Sequence, residues 1–329
     1  MSKTSRYSRA LMAEVDTGSR LHFGFYRTTG GPFLFASIGA AIREPSFKAV
    51  VRPCEGLEVS GQDKDRVLSL AEDVVRALGV PGARIEVRSS IPAHVGLGST
   101  TQVKLGIAWA LNALYGLGKS VRELAFLIGR GEFSGIGTLA FEAGGLIVDT
   151  GRRAEFKGPK DLPRALVRLD VPEDWRFLLL TREGMRGLNE ASERDLLLSL
   201  EPMPDGVRGR ICSLLLNVLL PSVLWGNIRA FGRALTEIQE LVGRYFSPYQ
   251  GGVFADEAAE ELRSFLLSKG AYGVGQSSWG PTLYALTTAR ECQALKEAVS
   301  AFLEESGFKY GVLVAEPRNE GARLEVRSP

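Results

Sequence analysis

Apolar positions in the first third of the chain fall into strand-type runs: LMAEVDTG (11–18), FLFASIGAAI (33–42) and FKAVVRP (47–53). The period then changes. Val67, Leu70, Ala71, Val74, Val75 and Leu78 recur at helical spacing, which predicts an amphipathic helix over 63–78. ARIEVRSS (83–90) returns to a strand, and a glycine-rich loop leads into a helix over 99–115 closed by Gly116. That helix is apolar nearly all round, so it is expected at the centre of its domain, covered on several sides. SVRELAFLIGR (120–130) predicts one shorter helix.

GRRAEFKGPKDLPRA (151–165) is basic, carries Gly and Pro, and has no period. It is the expected boundary, dividing the chain into domains over 1–150 and 151–329. Beyond it come a buried-type strand WRFLLLT (175–181), a loop (182–193), and helices near 208–230, 231–243 and 255–269. A β-like section AYGVGQSSWGPTLYAL (271–286), a helix over 290–305 and FKYGVLVAEP (308–317) complete the pattern. Strands alternating with helices predict a second α+β layer and a cleft shared by two domains.

Composition narrows the class. With 45% apolar and 24% charged residues in 329, a core of ordinary size is affordable and disorder is not expected. A net charge of +2 argues against a dedicated nucleic-acid binder. Cys54, Cys212 and Cys292 are isolated, which fits neither a disulfide framework nor a zinc site and suits a reducing, cytoplasmic setting. MSKTSRYSRALMAEV has no apolar core, so no signal peptide is read. The stretches LGIAWALNALYG and SLLLNVLLPSVLWG are too short to span a bilayer and are read as buried helices.

Three segments hold more Gly and Ser than turns require: PAHVGLGSTT (92–101), GRGEFSGIGTLAFEAGG (129–145) and GVGQSSWGP (273–281). The first opens a helix, so its backbone N–H groups and the helix dipole suit an anion. The bland alternative is a Ser or Thr helix cap that needs no ligand.

With the order of elements, these segments resemble the GHMP superfamily, named for galactokinase, homoserine kinase, mevalonate kinase and phosphomevalonate kinase. The resemblance implies an α+β, two-domain GHMP-kinase-like fold. Its first domain would be ribosomal S5 domain 2-like, its second a ferredoxin-like α/β sandwich. Pro92, Gly96, Leu97, Gly98 and Ser99 match the superfamily's phosphate loop, with Thr100 at its second hydroxyl. The kinases place a catalytic aspartate after Pro-Ser-Gly-x. Here Ser134, Gly135 and Ile136 are followed by Gly137, which cannot act as a base.

The wording of SRLHFGF (19–25), IGAAIREP (38–45), PAHVGLGSTTQ (92–102), SGIGTLAFEAGGLIVDTG (134–151), YQGGVF (249–254) and GQSSWGPTLYA (275–285) is similar to one non-kinase branch. That branch is the β-ribofuranosylaminobenzene 5′-phosphate synthases, archaeal-type enzymes of methanopterin biosynthesis. The resemblance implies condensation of phosphoribosyl pyrophosphate with 4-aminobenzoate or 4-hydroxybenzoate, with loss of CO₂ and pyrophosphate. Such chemistry needs a diphosphate cradle, Mg²⁺ and a dry aryl pocket, but no base for an alcohol.

On this reading Pro92 and residues 96–100 (Gly96, Leu97, Gly98, Ser99 and Thr100) bind diphosphate, with Thr100 and Glu142 as metal ligands. Arg20, His22, Glu142 and Ser278 are the catalytic candidates. Arg20 and His22 would hold the benzoate carboxylate or the 5′-phosphate; otherwise they are a surface ion-pair residue and a satisfied histidine. Ser134, Gly135, Gly137, Gln250, Gly251, Ser277 and Trp279 are expected along the substrate cleft, and His94, Arg182 and Arg186 are further anion candidates. Glu142 would otherwise only cap backbone. Small-molecule partners, no nucleic acid, no membrane and a possible homodimer are expected. A small-metabolite kinase with a displaced base and a silent ligand-binding homologue remain open.

Overall fold

The computed structural model describes residues 11–28, 30–187 and 190–328. The chain begins β1 (Met12–Tyr26), β2 (Phe33–Leu34), β3 (Ala36–Arg52), β4 (Gly56–Gly61), α1 (Lys64–Leu78) and β5 (Gly82–Ser89). Then come α2 (Ser99–Leu114), α3 (Val121–Leu127), α4 (Ile136–Ala143), β6 (Leu146–Asp149), β7 (Arg152–Arg153) and β8 (Ala165–Leu169). The second half holds β9 (Trp175–Arg182), α5 (Glu190–Ser199), α6 (Asp205–Leu214), a π turn and α7 (Leu220–Leu224). It ends with α8 (Ile228–Gln250), α9 (Ala259–Ser268), β10 (Gly273–Gln276), β11 (Leu283–Thr288), α10 (Cys292–Ser306), β12 (Tyr310–Ala315) and β13 (Arg323–Arg327).

Local chemistry explains the boundaries. α1 buries Val67, Ala71 and Val74, and Gly79 closes it with φ 65. α3 starts on a reciprocal Ser120–Glu123 capping box. α2 is buried on nearly every side, as its all-round apolar sequence predicts. Its cap differs from expectation: Gly98 takes that position, with no side-chain cap, and Ser99 lies inside the first turn.

The first sheet runs β13-β1-β3-β5-β4, with β6 and β8 attached through β3. β4 and β5, joined through α1, are the parallel pair among the described strands of this sheet; its other pairs are antiparallel. The second sheet, β10-β11-β9-β12, has the strand order of a ferredoxin-like module in which β9, β10, β11 and β12 are the four strands. Its core joins Leu178, Leu180, Val274, Leu283 and Ala285 to Leu262, Leu266, Val299 and Leu303 of α9 and α10.

Three expectations change. A cut at residue 150 does not follow the sheets, because β8 pairs with β6 and β13 pairs with β1. Both strands lie past that cut, yet they complete the first sheet. Residues 190–193, read as part of a loop, open α5, whose amphipathic signal is weak because charged and apolar residues are mixed along it. SLLLNVLLPSVLWG is half covered rather than buried: Leu216, Leu224 and Trp225 are 62%, 70% and 86% exposed. The run Asp205–Leu224 is long and apolar enough to cross a membrane. It packs on α8 and carries Arg208 and Arg210, so this is weak evidence for a span.

Candidate active site

Two bulges bracket the part of β1 that carries the first site residues. Register with β3 shifts between Thr17 and Ser19 and again between His22 and Gly24. Bulges of this kind re-aim side chains, and between them Arg20 and His22 line a cavity of about 260 Å³. A smaller space of about 80 Å³ adjoins it, lined by Gly96, Gly98, Ser99, Thr100 and His94. Arg20, Thr101, Arg130, Glu193, Ser278 and Trp279 border both.

The glycine loop is clamped between β1 and the loop after β10. Arg20 N–H donates to Leu97 O (3.1 Å), and Thr282 N–H donates to Val95 O (3.3 Å). The Arg20 guanidinium donates to Gly96 O. Ser277 Oγ donates to the same carbonyl (2.6 Å) and accepts from His22 N–H (3.0 Å). A Cβ on Gly96 would stand 2.2 Å from Ser277 O, so the loop needs glycine there. The first-turn N–H groups of α2 have no intrahelical acceptor and open toward the smaller cavity. His94 and Ser278 hold φ near 55° and 56°, strain of a kind found at ligand clamps.

The larger cavity is aromatic on one side. Trp279 meets Phe246 edge-on at 4.5 Å, and Phe246 stacks on Phe25 at 5.8 Å. Opposite lie Arg130, Glu132, Phe133 and Ser134 from the loop before α4, where Arg152 and Arg194 each approach the Phe133 ring at 5.7 Å. Arg194 pairs with Glu132, Arg130 Nε donates to Thr101 Oγ1 (3.0 Å), and the Trp279 indole donates to Glu193 (3.2 Å). The Thr138 hydroxyl is buried at the cavity wall without a partner among the described residues. Burial, opposed by Glu193, lowers the pKa of Arg20 to about 10, so it remains a cation at neutral pH. Burial, with Arg20 adding to it, pushes His22 well below the ordinary imidazole value, so it is neutral.

Of the residues expected from sequence, Arg20, His22, Ser134, Gly137, Gln250, Ser278 and Trp279 line the larger cavity, and Gly96, Gly98, Ser99 and Thr100 the smaller. His94 also lines the smaller cavity, and the other expected residues reach neither. Glu142 is exposed on the far side of α4, where its charge acts on Arg122, and it is discarded as catalyst and metal ligand. Gly251 is the exposed C-cap of α8, Pro92 is exposed, and Leu97 is buried in the core. Gly135 packs against Pro163 and Asp149, while Ser277 is fully buried and holds the glycine loop from behind. Arg182 is engaged by Asp256 and Arg186 is exposed; neither lines a cavity. The Ser99 hydroxyl accepts from Arg66 (3.3 Å), which leaves Thr100 the freer oxygen.

Sequence reasoning missed Arg130, Phe133, Glu193, Arg194, Phe246 and Thr138. The only signal for the first two was their place inside GRGEFSG. Phe246 on a helix face reads as core.

A glycine loop opening a buried helix, over the seam of these two sheets, defines the GHMP class. Residues 65–145 match the family described as GHMP kinases N terminal domain, and residues 216–305 match GHMP kinases C terminal. The fold agrees with a homoserine kinase from Cytophaga hutchinsonii at TM-score 0.69 and 17% identity, covering 99% of this chain and 100% of that one. Within the class, the chain is 32% identical to β-ribofuranosylphenol 5′-phosphate synthase of Archaeoglobus fulgidus, over 96% of this chain and all of that protein. The Methanothermobacter thermautotrophicus protein of the same name is 30% identical over 83% of this chain and 88% of its own length. The chain belongs to the β-ribofuranosylphenol 5′-phosphate synthase family.

Proposed function

We propose that this enzyme condenses phosphoribosyl pyrophosphate with 4-aminobenzoate or 4-hydroxybenzoate, releasing CO₂ and pyrophosphate. The observation that carries the reading is the pairing of an intact anion loop with Gly137. At that position Thr101 packs 3.1 Å from where a Cβ would stand, and the carboxylates that line the cavities, Glu132 and Glu193, come from other segments. A kinase loses its base by this change, whereas aryl C-ribosylation needs none.

In this scheme the diphosphate lies in the smaller cavity, on the first-turn N–H groups of α2. The aryl ring lies along Phe25, Phe246 and Trp279 in the larger one. Arg20, at their junction, faces the charge that develops as the C1′–O bond breaks. The ring carbon bearing the carboxylate attacks C1′, and departure of CO₂ restores aromaticity. The aromatic wall keeps the site dry enough for an oxocarbenium-like sugar.

The donor set suits a Mg²⁺ that enters with its substrate. Among the described residues no group of three or more His, Cys, Asp or Glu forms a cage. Thr100 and Glu193 face the smaller cavity and would supply the protein oxygens, with phosphates supplying the rest. Bound there, the ion would neutralise charge on the leaving diphosphate. We place the reaction in the cytoplasm.

Release of labelled CO₂ from each carboxyl-labelled acid tests the reading. Release that requires phosphoribosyl pyrophosphate, matched by pyrophosphate, is expected. No release, with ATP consumed in the presence of a small alcohol, would return the glycine loop to a kinase role. Trp279→Leu is expected to raise KM for the aryl acid about tenfold, the equivalent of about 1.4 kcal/mol of lost aromatic contact, with a smaller rise for phosphoribosyl pyrophosphate because Trp279 also borders the smaller cavity and holds Glu193. Equal changes in both KM values would remove Trp279 from the aryl pocket.

A further inference from the structure

A line of hydrogen bonds runs from the cavity wall into the first sheet and ends on a buried carboxylate. His22 Nε2 lies 3.0 Å from Ser134 Oγ, and Ser134 Oγ lies 2.9 Å from Ser37 Oγ. Ser37 Oγ lies 2.6 Å from Asp149 Oδ2. Asp149 is 2% exposed, at the end of β6, and has no part in the chemistry described above.

Hydrogen counting gives this line a direction. Asp149 Oδ1 accepts from the N–H groups of Ser37 (3.0 Å) and Gly151 (3.0 Å). Oδ2 accepts from Gly135 N–H (2.7 Å) and faces the Ser37 hydroxyl. Burial raises the pKa of Asp149, and these hydrogen bonds oppose that rise. Three of the four neighbours are amides, which only donate, and a carboxylate held this way stays ionised. Ser37 has one hydrogen, and the carboxylate takes it. Ser37 Oγ therefore accepts from Ser134, and Ser134 Oγ accepts from His22 Nε2. Among the described residues Nδ1 makes no hydrogen bond, so it remains the acceptor end of the ring. The charged groups around this histidine are Arg20, Arg130 and Arg194, balanced by Glu132 and Glu193.

We infer that Asp149, acting through Ser37 and Ser134, fixes His22 as the Nε2–H tautomer, leaving Nδ1 to accept from the para hydroxyl or amino group of the aryl acid. The aryl assignment rests on the synthase reading; the relay does not. Accepting that hydrogen bond raises electron density at the opposite ring carbon, the one that attacks. The π pair forms the bond to C1′ as the C1′–O pair leaves with diphosphate. The pair of the carboxyl–ring bond then restores aromaticity as CO₂ departs, and the para proton stays on the substrate. Asp149, Ser37 and Ser134 are positioning residues, comparable in logic to the carboxylate that orients a catalytic histidine elsewhere.

The chain has two histidines, so histidine-selective ¹⁵N labelling reports His22 directly, with His94→Gln for assignment. Protonated Nε2 and bare Nδ1 are expected in the unliganded protein. Ser134→Ala and Ser37→Ala should each give a tautomer mixture. Asp149→Asn, whose amide donates to Ser37, should reverse the line and yield Nδ1–H. Should that variant fail to fold, the two alanine variants decide alone. Nδ1–H in the unsubstituted protein, or an unchanged tautomer in Ser134→Ala, would overturn the relay. The same alanine variants should lower kcat by roughly 10²-fold, the loss that follows removal of one preorganised hydrogen bond at developing charge, with KM for phosphoribosyl pyrophosphate unchanged. A confirmed tautomer in a protein that releases no CO₂ would overturn the aryl assignment while sparing the relay.

Discussion

Gly98→Val is expected to reduce kcat/KM by at least about 10²-fold in a protein that still folds, the loss associated with removing one transition-state donor. Gly98 sits at φ 78 as the cap of α2. A Cβ there would stand 3.0, 3.2 and 3.4 Å from Cγ, Nε and Cζ of Arg20. Those atoms belong to a side chain, so the fold can yield by moving it. Moving Arg20, however, breaks its bond to Gly96 O and takes its charge from the junction of the two cavities. The backbone strain itself costs about 1–2 kcal/mol, within the reserve of an ordinary domain. Gly96→Ala is the contrast, since backbone rather than side chain stands in the way. Melting temperature measured beside labelled CO₂ release separates the two effects. Normal pyrophosphate binding by Gly98→Val would refute the anion role of the loop.

Arg20→Ala should cost more, roughly 10³-fold in kcat/KM, because it deletes a preorganised charge from a water-poor site. Arg20→Lys should recover only part of it. A lysine presents one point charge, whereas the guanidinium can hold Gly96 O and a substrate oxygen together. With its pKa near 10, the cation persists through neutral pH and is lost as pH rises past that value. The alkaline limb of kcat/KM should therefore fall toward pH 10 in the parent and be absent in Arg20→Ala. An alanine variant within tenfold of the parent would place Arg20 in the scaffold alone.

Much of this site was legible because its signals are local. The glycine loop, the buried helix it opens and the Gly137 substitution sit in two short stretches, and backbone demands explain each. The relay was illegible for the opposite reason. Ser37 and Asp149 are unremarkable in ASIG and LIVD, and only the sheet that pairs β3 with β6 sets them together. A lone carboxylate ending a buried apolar strand was the available hint. Glu142 misled because sequence proximity to the missing base says nothing about which side of α4 it occupies. The strands β8 and β13, which lie past residue 150 but complete the first sheet, were illegible for the same reason, since they announce their sheet only by pairing.

That pairing has a consequence for how the protein is made. Met12 of β1 sits opposite Arg327 of β13, so the strand that positions Arg20 and His22 is completed by a segment translated after every other strand described. The four strands of the ferredoxin-like module come from a single stretch of chain, β9 to β12. The first sheet must wait with an open edge, and its closure is a late, long-range step of the kind that slows folding. That edge therefore closes only when Met12 meets Arg327, two of the most widely separated partners in the sheet.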